Sequence, residues 1–122
     1  MDYFESLPVS CPPAIAGPFV GAVYRLTADP PVDSDFLSHR QLEPTKSFHA
    51  DECQVRSLSV FTSLDSAKRI HALPAHSHKK VTRLNLDAAS GVTMKTGKDA
   101  HHHSWWRAST FSFSGAVAKE AE

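Results

Sequence analysis

The hydrophobic and polar positions change period several times along the chain, and each change marks an element. From Ser6 to Pro18, prolines at 8, 12, 13 and 18 withhold backbone donors and disfavour helix, which predicts a wandering, partly extended arm. FVGAVYRL, from Phe19 to Leu26, supplies the branched and aromatic side chains that suit a pleated surface, and predicts the first strand. Asp29-Pro30-Pro31 ends it. In VDSDFLSHRQL, an Asp33 or Ser34 cap ahead of Phe36, Leu37 and Leu42 predicts a short helix. His49 to Leu58 predicts one or two further helical turns.

LSVFT, from Leu58 to Thr62, has the continuous apolar character of a mostly buried strand. Ser63 then caps a helix in which Leu64, Ala67 and Ile70 or His71 share one face, and Pro74 stops it. KKVTRLNL, from Lys79 to Leu86, and GVTMK, from Gly91 to Lys95, predict two later strands separated by the DAAS turn. In STFSFSGAV, Phe111 and Phe113 alternate with serines, the period of a strand with one buried face. The charged ending AKEAE is expected to fray. Strands outnumber helices, and no repeated βαβ unit is present. The expected fold is therefore α+β: one domain with a mixed, mostly antiparallel sheet and two or three short helices. Residues 1–18 form its proline-rich arm, 19–117 its body and 118–122 its frayed end.

Composition narrows the function classes. The 122 residues are 41% hydrophobic, enough for a single core. Thirteen Lys plus Arg balance thirteen Asp plus Glu, so no basic stripe can neutralise a phosphate backbone and nucleic acid is not expected as a partner. Near-neutrality also removes the self-repulsion that opposes association with another protein. Only Cys11 and Cys53 are present, and spacing does not decide whether they bond, so a reducing compartment is the default. The N-terminus has Asp2 and Glu5 without a basic region, and the apolar run from Ala14 to Val23 is broken by glycine and proline. No signal peptide or membrane span is expected, which points to the cytoplasm.

Candidate chemistry centres on HHHSWW, from His101 to Trp106. Two adjacent indoles are not expected both to face inward from a regular strand, so one is expected at a rim, a loop or a pocket mouth where a partner covers it. Trp105, Trp106 and Arg107, with His101 and His103, are thus the expected contact surface. Eight histidines also permit a zinc site, for instance around His49 and Cys53 four residues apart, or His76-x-His78 on one face of a strand. No G-x-S-x-G elbow points to a serine hydrolase. Arg25 is a further candidate: a cation inside an apolar strand needs an acceptor, and its planar fork fits phosphate or carboxylate.

The chain resembles a set of small bacterial proteins with a strand ending in YRL, an SVFTS segment leading into a helix, and an H-H-x-W-W element. That resemblance implies no activity. Arg25 on an early strand, followed by Ser59-Val60-Phe61-Thr62-Ser63 before a helix, is also similar to mono-ADP-ribosyltransferases. This resemblance implies an arginine on the NAD phosphates or ribose and a serine/threonine strand along the nicotinamide pocket, here Arg25 with Ser59 or Ser63. The family's late catalytic glutamate has no counterpart, because residues 88–119 contain no Glu and Asp99 is their only acid. One of His101 to His103, here His102, or Asp99 would then have to polarise the ribose. The first expectation is accordingly a small intracellular interaction module that binds another protein through its Trp/His surface and needs no cofactor. An NAD-dependent ADP-ribosyltransferase-like enzyme is the alternative, and a His-ligated metal protein, with zinc, the third.

Overall fold

Segments of alternating polarity pair into one antiparallel sheet. A computed structural model describes residues 1–113 and the backbone of 117–120. Its strands are β1 (Gly21–Thr27), β2 (Leu58–Phe61), β3 (Lys80–Leu86), β4 (Gly91–Lys95), β5 (His102–Arg107) and β6 (Val117–Glu120). They stand in the order β4-β5-β2-β1-β3-β6, and every neighbouring pair is antiparallel. Among the described residues, three short helices complete an α+β domain: α1 (His39–Leu42), α2 (Glu52–Val55) and α3 (Leu64–His71). A 3-10 turn over Asp33–Phe36 precedes α1, and a second over Pro74–His76 follows α3.

Alternation sorts the side chains onto two faces. Val23, Leu58, Val60, Leu84, Leu86 and Trp105 pack with Phe36 and Phe111 on one. Phe61 and Val81, with Tyr24 and Leu26, meet Ala67, Leu64 and Ile70 of α3 on the other. The α3 stripe is the one expected from its spacing, and its start is capped as expected, the Ser63 hydroxyl accepting from the Ser66 amide at 3.4 Å. Among the described residues, no helix is long and apolar enough to cross a membrane.

Several expectations need correction. HHHSWW, to which the sequence pattern assigns no element, lies largely on a strand: His102 to Arg107 form β5 between β4 and β2. Trp105 and Trp106 are both enclosed, at 0% and 1% exposure. The sheet here is covered on both sides, so alternation carries one indole to each interior. The Trp105 Nε1–H donates to the Ser90 carbonyl at 3.0 Å and its ring meets Phe111 edge-on at 4.8 Å. The Trp106 Nε1–H donates to the Cys53 carbonyl of α2 at 2.9 Å. Phe111 and Phe113 do not lie on a strand; they follow a turn and pack on Phe36, with Phe113 stacked at 4.8 Å. The expected final strand over 109–117 therefore meets β6 only at Val117. Residues 118–120, expected to fray, pair with β3 instead, and 114–116, 121 and 122 lie outside the described residues.

The proline-rich arm is pinned to the domain. Tyr3 bridges Ala108 and Gly17 bridges Thr93. Cys11 is disulfide-bonded to Cys53 across 42 positions, with a Cα–Cα distance of 5.6 Å. The bond ties the arm to α2, whose backbone already holds Trp106.

Candidate functional site

The register between β1 and β2 is a single pair, Tyr24 with Phe61, whereas β1 and β3 pair along seven residues. Beyond Tyr24, Arg25 links the two strands through its side chain. Its Nη1 donates to the Ser59 carbonyl at 2.7 Å, and its Nε donates to the Asp35 carbonyl at 2.8 Å. A cleft of about 530 Å³ opens beside this bridge, lined by Arg25, Ser59 and His102, with apolar walls from Leu26, Phe61 and Ile70 and polar groups from His39, His76 and Lys79. That volume lies within the range of small-molecule sites.

Burial lowers the Arg25 guanidinium to about 10, against the attraction of Asp35, and it remains a cation at neutral pH. The Asp35 carboxylate is engaged as a turn bracket, with Oδ2 accepting from the Ala28 and Val32 amides at 3.1 and 2.8 Å. Arg25 therefore has two fixed backbone acceptors, while its Nη2 has no hydrogen-bond partner among the described residues. A guanidinium held this way can offer N–H donors to an anion without reorganising.

His102 is oriented through its backbone-side nitrogen. Nδ1 lies 3.0 Å from the Thr96 carbonyl and 3.1 Å from the Thr96 hydroxyl. A carbonyl only accepts, so this contact assigns the proton to Nδ1 and leaves the lone pair on Nε2. The Thr96 hydroxyl is itself 2.8 Å from the Ser104 hydroxyl, and Phe61 meets the imidazole edge-on at 5.3 Å. A tautomer fixed by a backbone acceptor is the arrangement of an imidazole that accepts a proton.

The remaining candidates do not join this cleft. Ser63 is the cap of α3. His101 is exposed, with Nδ1 3.2 Å from the Thr62 hydroxyl. His103 points to the opposite face, near Phe19 at 6.3 Å between rings. Burial, and then the charges of His102, His101 and Lys95, hold its pKa below the ordinary histidine value. Arg107 donates to the Phe36 carbonyl at 2.8 Å and lies 3.7 Å from the Phe4 ring centroid. The expected contact surface of Trp105, Trp106, Arg107, His101 and His103 is thus corrected at its centre: the indoles are interior, the arginine is sheltered by the arm, and His103 packs near Phe19 while His101 is exposed.

Asp99 is likewise structural. It accepts from Ser66 Oγ at 3.1 Å, Arg69 Nη2 at 3.3 Å and the His101 amide at 2.8 Å. The His101 amide leads the interactions that hold its carboxyl below the usual range. Among the described residues, no three His, Cys, Asp or Glu gather as metal donors, and the Cys53 sulfur of the His49/Cys53 pair is in the disulfide. This corrects the zinc expectation at that pair.

Sequence reasoning missed His39, His76 and Lys79 as cleft residues. The histidine grouping near 76–78 was visible in the chain, but only the fold brings it opposite Arg25. Comparison with family models, curated proteins and solved structures finds no match.

Proposed function

We propose that this chain is an ADP-ribosyltransferase-like enzyme that takes NAD in the Arg25 cleft. The observation that carries the reading is the convergence of Arg25, Ser59 and His102, residues from three different strands, around one cavity. The transferase resemblance names Arg25, Ser59 or Ser63, and a late His or Asp99; of these, Arg25, Ser59 and His102 line the cleft. With Trp105 and Trp106 enclosed, the interaction module that was the first expectation loses its two indole contacts.

In this reading the free Arg25 N–H groups face the dinucleotide phosphates. Leu26 and Phe61 provide apolar contact and Ser59 a hydroxyl for the nicotinamide end. His102 Nε2 takes the proton of the attacking acceptor. The C1′–N bond breaks with its electron pair leaving on nicotinamide, and the acceptor's nucleophilic atom forms the new bond to C1′. The chemistry departs from the family in one respect. The carboxylate among the described cleft residues, Asp35, accepts from two backbone amides, so positioning by Arg25 and proton acceptance by His102 must supply the rate. The Cys11–Cys53 bond also fits an oxidising compartment better than the cytoplasm.

The test is calorimetric titration of the full chain with NAD, followed by assay of nicotinamide release. NAD should bind and turn over slowly, with His102→Gln suppressing release more than binding. Absence of heat and of nicotinamide at millimolar NAD would overturn the proposal.

A further inference from the structure

We infer that the cleft accepts a dinucleotide bearing an additional phosphate, NADP in preference to NAD, with Lys79 and His76 receiving the extra anionic group. The inference rests on the transferase reading and specifies its substrate. Its basis is the presence of two separated cationic positions in one cavity. Arg25 is tied to the Asp35 and Ser59 carbonyls and cannot swing toward the rim without breaking both bonds.

Lys79 stands elsewhere. The β1–β3 register sets Thr82 opposite Arg25 and Lys80 opposite Thr27, so Lys79 lies three residues further along its chain than the position facing Arg25. At the rise of a strand that is roughly 10 Å. A single phosphate held by Arg25 leaves Lys79 without an anion, whereas a ligand with two phosphate-bearing ends can meet both.

The surroundings of Lys79 support an external anion. From Ser66 to Leu86 the chain has no Asp or Glu. The nearby cations with carboxylate partners are Arg69, paired with Asp99 at 3.3 Å, and Lys80, paired with Asp29 at 3.6 Å. Among the described residues, Lys79 forms no such pair. His76, also on the cleft wall, has a buried Nδ1 without a hydrogen-bond partner. A buried imidazole nitrogen left unpaired costs free energy that a phosphate oxygen or a phosphate-bound hydroxyl can recover.

Calorimetry with NADP and NAD on the full chain tests the inference, using Lys79→Gln, His76→Gln and, as a surface control, Lys68→Gln. NADP should bind about tenfold tighter than NAD, the scale of one charge-assisted contact. Lys79→Gln should bring NADP affinity down toward that of NAD, His76→Gln should reduce the ratio partway, and Lys68→Gln should preserve it. If both dinucleotides bind equally, or if Lys79→Gln keeps the full preference, the inference fails while the transferase reading stands. If neither binds, the reading beneath it fails and the inference with it.

Discussion

Arg25 and Arg107 reach consecutive carbonyls of the same 3-10 turn, those of Asp35 and Phe36, yet their surroundings give them different work. Arg107 sits under Phe4 of the N-terminal arm at 3.7 Å and near Phe111 at 5.4 Å. It therefore acts as a sheltered brace between β5 and the turn. Arg25 makes the same kind of backbone contacts but faces a cleft. The two regions differ in what covers them. The arm, anchored by Tyr3, Gly17 and the Cys11–Cys53 bond, closes the β5 side, while the separation of β1 from β2 opens the other. A cation on a strand becomes structural or available according to that cover, even when its own hydrogen bonds are alike.

The sharpest way to break this comparison is to truncate the sealed end. Trp105→Ala should cost about 3–5 kcal/mol, because removing a fully enclosed indole leaves a cavity and loses one of the two bonds to the Ser90 carbonyl. Ser59→Ala at the cleft should stay within about 0.5 kcal/mol. Urea denaturation of the two variants measures both, and near-equal midpoints would remove the distinction between closed and open ends.

Releasing the arm is the next test. Joint Cys11→Ser and Cys53→Ser substitution should cost about 2–4 kcal/mol, the scale expected for opening a loop of this length. A reducing agent should lower the melting temperature of the parent chain and leave the double variant unmoved. A parent protein indifferent to reductant would detach the arm from the stability of the β5 side.

A smaller effect separates the arginines themselves. Arg107→Met should lose about 1–3 kcal/mol by stranding the Phe36 carbonyl beneath the arm. Arg25→Met, which loses two bonds to backbone carbonyls, should cost a similar amount, but it should also weaken NAD binding by tenfold or more. Dinucleotide titration alongside denaturation reads both quantities. The comparison fails if Arg107→Met is the variant that loses the ligand.

The smallest expected effect is on pH dependence. Burial, then His102, His101 and Lys95, keep His103 below the ordinary histidine value of 6.5. The unfolded chain therefore takes the proton first. The stability linked to His103 is complete above that value and declines as pH falls through the lower folded pKa. Between about pH 7 and pH 5, His103→Gln should make the melting temperature fall less than in the parent. An unchanged slope would show that His103 is more solvated than its packing against Phe19 implies.

Local signals marked much of the fold. Ser63 caps α3 and Leu64, Ala67 and Ile70 form its buried stripe, because a cap and a helical period act within a few residues. β5 escaped notice for the opposite reason. A strand buried on both faces loses the polar alternation that identifies a half-buried one, so Trp105 and Trp106 resembled a rim. Phe111 and Phe113 misled in the other direction: their alternation serves packing on Phe36 after a turn. The charged residues of β6 also obscured a strand at the sheet's edge, where charges are tolerated and discourage further pairing.

At the candidate site, Arg25 was legible because a cation within an apolar strand demands acceptors. Ser59 and His102 entered through the transferase resemblance, and the cleft contains both. Ser63 shared that resemblance but faces the start of α3, where its hydroxyl accepts from Ser66. His39, His76 and Lys79 could not be assigned from the chain, since their place in the wall depends on how the loop before β2 and the turn after α3 fold back.

The amino-acid sequence by itself determined the α+β character, the position of most strands, the α3 cap and the need to satisfy Arg25, because these follow from backbone preference, side-chain period and the cost of burying charge. Only the tertiary structure decided that both indoles are interior, that Cys11 reaches Cys53, and that Arg25, Ser59 and His102 meet. Those outcomes depend on contacts between residues distant along the chain, where the cover of each face and the spacing of strands, rather than local chemistry, set what a side chain can do.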